Sequence, residues 1–102
     1  MVWRLSSSLA SAENGQELAH GILRALQFSS EPVTLDFADV QLLTPSFANA
    51  MVMTLLARLT LDELRSRCLM VNRQAFVVES LSSAARRFAD GIRLSNQAPV
   101  PA

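Results

Sequence analysis

The stretch VTLDFADVQLLTPSFANAM, residues 33–51, decides the fold. Its first residues alternate: Val33, Leu35 and Phe37 fall on one side of an extended chain and Thr34 and Asp36 on the other, the pattern of a strand with one buried face. After the loop the period changes to that of a helix running from Ser46 to about Leu59. At about 100° per residue, Ala48, Met51, Val52, Leu55 and Leu59 gather on one side, while Ser46, Asn49, Ala50, Met53 and Ala57 gather on the other. Thr44 is expected as the N-cap, its side-chain oxygen accepting from a first-turn N–H, with Pro45 as the first helical residue, where a missing N–H costs nothing.

Working outward, residues 2–9 alternate weakly and predict a first or edge strand. From Ala12 to Gln27 the spacing of Leu18, Ala19, Ile22, Leu23 and Leu26 predicts an amphipathic helix, capped by Ser11 and ended before Pro32. Beyond the central helix, Thr60 or Asp62 is expected to cap a brief helical segment. The continuous run Cys68-Leu69-Met70-Val71 predicts a strand covered on both sides. Residues 74–90 form the last helix, with Val77, Val78, Leu81, Ala84, Ala85 and Phe88 on its apolar face and Gly91 as its stop. The order strand, helix, strand, helix, strand, helix predicts an α/β domain with a mainly parallel or mixed sheet of three or four strands. Each helix keeps a polar stripe, so the helices are expected mostly on one sheet face. One domain is expected over residues 1–93, followed by a loose tail over 94–102 containing Pro99 and Pro101.

Composition limits the function. The 102 residues suffice for one core, and half of them are apolar, which keeps a partner or a second copy of the chain in view as the cover for some of that surface. The formal net charge is zero, which gives no drive for sequence-independent nucleic-acid binding. Charge is nonetheless uneven: two arginines and five acids precede Arg58, whereas seven arginines and four acids follow from it onward. There is no apolar run of membrane-spanning length and no signal-like N-terminus, so a cytoplasmic location is expected.

Catalytic and metal chemistry finds little material. His20 is the single histidine and falls in the polar stripe of the first helix, as a solvated surface residue would. Cys68 is the single cysteine and is expected to be a small buried hydrophobe. The glycines are scattered, without a phosphate loop, and Asp36 and Asp39 are expected to point apart if the strand ends near Ala38. No enzyme activity, cofactor or metal is therefore expected. Two features stay open. Ser46, in the first helical turn near unpaired N–H groups, either only starts the helix or receives an anionic group. The small, uncharged outer face of that helix is either buried within the domain or meets a partner.

The residues Leu35, Asp36, Phe37, Val40, Ser46, Phe47 and Ala48, in a strand, loop and hydrophobic helix, resemble the centre of the STAS superfamily of sulfate-transporter and anti-sigma-factor-antagonist domains. The likeness is greatest to its bacterial STAS-like branch and extends over about residues 14–93. It implies a small α/β domain that works by binding, with a histidine-kinase-like ATPase as a partner. By position Ser46 corresponds to the serine that such kinases phosphorylate in the antagonists. The antagonists carry aspartate, serine and glycine there, whereas this chain has Pro45, Ser46 and Phe47. The docking surface implied comprises Asp39, Thr44, Pro45, Ser46, Asn49, Ala50, Met53 and Ala57. A regulatory adaptor is the leading expectation, with a phosphorylation switch at Ser46, or a small-ligand site in the strand-end crevice, as alternatives.

Overall fold

The computed structural model describes residues 2–96. In chain order its elements are β1 (Val2–Arg4), β2 (Ser8–Leu9), α1 (Ala12–Phe28), β3 (Val33–Asp36), β4 (Leu42–Leu43), α2 (Pro45–Leu56), α3 (Leu61–Arg67), β5 (Cys68–Val71) and α4 (Ala75–Asn96). Two parallel sheets result: a three-stranded one in the order β1-β3-β5 and a two-stranded one of β2 with β4. The α/β class and the parallel pairing follow the expectation. The β2/β4 pair does not, since two-residue strands are too short to show a period.

Register explains which face is buried. Trp3, Leu35 and Met70 stand side by side across the three strands, as do Arg4, Asp36 and Val71. On the first face Leu35 is fully buried, Val33 and Cys68 nearly so, and Trp3 lies against Gly21 of α1. The helices pack on this side. The opposite face carries Val2, Thr34, Leu69 and Val71, of which Leu69 is 41% and Val71 39% exposed. The expectation that β5 is covered on both sides is thus wrong. All the long helices follow crossovers to the same face, so the apolar run has only one layer to pack against.

Within the helical layer α2 lies between α1 and α4. The α1/α2 crossing is close because residue 15 is glycine: a Cβ there would stand 2.5 Å from the Phe47 carbonyl oxygen and 3.2 Å from the Ala50 Cβ. Ser11 caps α1 by accepting from the Asn14 N–H, as expected. For α3 the cap is Thr60, in a capping box with Glu63. Two helix ends differ from expectation. α2 ends at Leu56, with Ala57 as its cap, rather than at Leu59. α4 continues through Gly91 to Asn96, because a glycine stops a helix by taking positive φ and none of the described glycines does so. Residues 97–102 of the expected tail lie outside the described residues.

Candidate functional site

The site is built where β3 ends. The main chain of Phe37 donates to Val71 O and that of Leu5 to Asp36 O, tying the strand end to both neighbours at 3.0 Å. A turn then closes through Val40 N–H to Phe37 O, and the chain proceeds to β4 beside β2. This turn overturns the expectation that Asp36 and Asp39 point apart. The strand stops at Asp36, so the turn folds Asp39 back, and both carboxylates approach Arg4 Nε, at 4.0 and 3.9 Å. The Asp36 side chain is only 14% exposed. Its Oδ1 accepts from Asn72 Nδ2 and from the Ala38 N–H, each at 2.9 Å. Those two hydrogen bonds, with the Arg4 charge behind them, hold its pKa below the ordinary value of 3.8. Asn72 adopts φ 57°, a left-handed conformation that asparagine tolerates better than most residues, and this places its amide against Asp36.

Thr44 starts α2 as expected. Its Oγ1 accepts from the Phe47 N–H at 3.2 Å and its hydroxyl donates to Ala10 O at 2.6 Å, linking the helix start to the segment after β2. Phe47 lies outside the core side expected for this helix, yet it is 1% exposed and among the largest buried side chains. Burying a phenylalanine contributes about 1.5–3 kcal/mol, more than the ~1 kcal/mol of a cap, so Phe47 sets the roll of α2 more strongly than Thr44 does. The signal for it was present: Phe47 precedes Met51 by four residues and so continues the buried stripe.

That roll sorts the implied docking residues. Asp39, Pro45, Ser46, Met53 and Ala57 are exposed, whereas Thr44, Asn49 and Ala50 are half-buried. Asn49 Oδ1 accepts from Arg87 Nη1 of α4 at 2.7 Å, and Ala50 faces Gly15 of α1. Met53 is 56% exposed, and Leu42 in the preceding loop 48%. Beside Met53 runs a shallow groove of about 380 Å³ between α1 and α2, bordered by Gln16, His20, Leu23, Ala50 and Ala57.

The remaining chemical candidates fall elsewhere. His20 is exposed on α1, and no group of three His, Cys, Asp or Glu side chains suited to a metal occurs among the described residues. Cys68 is buried, and burial pushes its thiol up to about 11, far from the reactive thiolate. Among the described residues no helix is long and apolar enough to cross a membrane.

No curated protein and no solved structure gives a significant match to the chain. A family model, that of the STAS-like domain of unknown function, matches residues 14–75, which include most of α1 and all of β3, the loop with β4, α2, α3 and β5. The chain belongs to the STAS-like domain family.

Proposed function

We propose that this STAS-like domain is a non-enzymatic regulatory adaptor that docks a protein partner through the 39–46 loop and the exposed side of α2. The observation that carries this reading is Met53: a large apolar side chain left 56% exposed on a helix that has no charged residue from Pro45 to Leu56. Surface helices ordinarily carry charge on their outer face, and methionine adapts to irregular partner surfaces. The groove beside Met53 gives a partner side chain a place to insert. The superfamily resemblance supports a histidine-kinase-like ATPase as the partner class. Met53→Glu with Ala57→Glu places two charges on this surface without touching the core. Loss of ATPase capture by the double variant, with its far-UV circular dichroism unchanged, is the expected result; undiminished capture would refute the surface.

A second reading, a phosphorylation switch, is favoured by Ser46 itself. It is exposed in the first turn of α2, and no acid in that turn opposes an added phosphate. Incubation with the ATPase partner and ATP is expected to add one phosphate mass to the chain and none to Ser46→Ala. An unmodified wild-type chain would remove this reading and leave the docking surface standing.

A further inference from the structure

Away from the α2 loop, three arginines from three different segments meet. Arg24 comes from α1, Arg58 from the turn after α2 and Arg67 from the end of α3, and with His20 they line a cleft of about 440 Å³ whose apolar sides include Leu23 and Leu59. No carboxylate lines it. Bringing like charges together without a counter-charge is unfavourable, and the folded chain does not relieve it: among the described residues the side chains of Arg24 and Arg58 make no ion pair or hydrogen bond.

Helix-end compensation accounts for only part of the cluster. Arg67 Nη2 donates to Leu26 O at 2.9 Å and to Ser29 O at 3.1 Å, which caps the end of α1. Those contacts also fix the guanidinium in place, leaving its Nη1 and Nε donors without a partner among the described residues. Arg67 acts electrostatically on Glu63, whose carboxylate accepts from the Thr60 N–H at 3.0 Å and stands outside the cleft lining. Arg24 is not in the last turn of α1, since that turn holds no basic residue.

We infer that the cleft between α1, the α2–α3 turn and α3 is a binding site for a small ligand bearing a di- or polyphosphate group, held by Arg24, Arg58 and Arg67. Guanidinium matches phosphate geometry through paired N–H donors, and three of them match a group with several negative charges better than a single dianion. The volume lies within the range of small-molecule sites. The cleft shares His20, Leu23 and Arg58 with the groove beside Met53, but the inference rests on no part of the docking reading.

Calorimetric titration of the full chain with inorganic pyrophosphate, against sulfate at matched ionic strength, tests it. Pyrophosphate is expected to bind at least about tenfold more tightly than sulfate, and Arg24→Ala and Arg58→Ala each to weaken it about tenfold, the scale of one hydrogen bond to a charged group. Arg86→Ala, on α4 and outside the cleft, should leave binding unchanged. Because Arg67 also caps α1, the exposed Arg24 and Arg58 are the deciding variants, with thermal unfolding as the check that they fold. Equal affinity for pyrophosphate and sulfate, or pyrophosphate binding that survives Arg24→Ala/Arg58→Ala, would overturn the proposal. So would binding of poly-glutamate by a chain that ignores pyrophosphate, since that result assigns the cleft to an acidic polypeptide.

Discussion

Asp36 shows how one residue can look like chemistry and serve geometry. A carboxylate at the end of a strand in an open α/β sheet lies where ligands commonly bind, but both hydrogen bonds to its Oδ1 come from the fold itself. They tie β3, its following turn and the turn after β5 together. The lowered pKa has a consequence with a definite sign. A carboxyl group whose folded pKa lies below its unfolded value contributes stability that is complete above the unfolded value and is lost as pH falls through the folded one. Glu63, lowered by the Thr60 N–H and hydroxyl and by Arg67, acts in the same direction from its ordinary 4.5. Thermal unfolding is therefore expected to show stability falling as the pH drops below about 4. The gap between wild type and Asp36→Asn should be wider at neutral pH than under acid. A gap that does not change with pH would contradict the role given to the carboxylate. Nothing in the local sequence announced this arrangement, because Arg4 reaches Asp36 from β1 and Asn72 from the turn after β5.

At the scale of elements the two glycines 15 and 91 make opposite cases. Both lie inside helices, where glycine costs roughly 0.5–1 kcal/mol relative to alanine. Gly91 has nothing within 4 Å of a Cβ, so Gly91→Ala should stabilise the chain by up to about 0.5 kcal/mol, tempered by its nearness to the helix end. Gly15 has the Phe47 carbonyl oxygen at 2.5 Å from that position, and backbone cannot rotate away as a side chain can. Gly15→Ala should destabilise by about 1–2 kcal/mol, since overpacking of 1–3 kcal/mol exceeds the propensity gain. Denaturant titration of the two variants checks the pair; a stabilised Gly15→Ala would mean that α1 and α2 do not cross as closely as described. The close crossing also bears on the candidate site. It turns Ala50 inward and leaves Met53 and Ala57 as the parts of the uncharged face that solvent reaches. Periodicity separated this face from the core side correctly for Met51, Val52 and Leu55, which are buried. It could not say which part of the outer face a neighbouring helix would cover.

Across the whole molecule, the arginine excess of the second half acquires a location. Arg58 and Arg67 from that half meet Arg24 from the first in one cleft, while Arg87 turns to Asn49 and Arg86 to Ser83. The molecule also has an open side, the sheet face of Val2, Leu69 and Val71, opposite the helical layer. By itself the sequence determined the kinds of element, the strand, loop and helix start at 33–45, the N-caps at Ser11 and Thr44, the choice of Thr60 or Asp62 for α3, and the family, because these depend on side chains close together along the chain. The tertiary structure alone decided that β5 is covered on one face, that the β2/β4 pair forms, that Asp36 and Asp39 share Arg4, and that three arginines converge. Each of these joins residues far apart in sequence, whose meeting is set by how the helices pack on the sheet and by no local period.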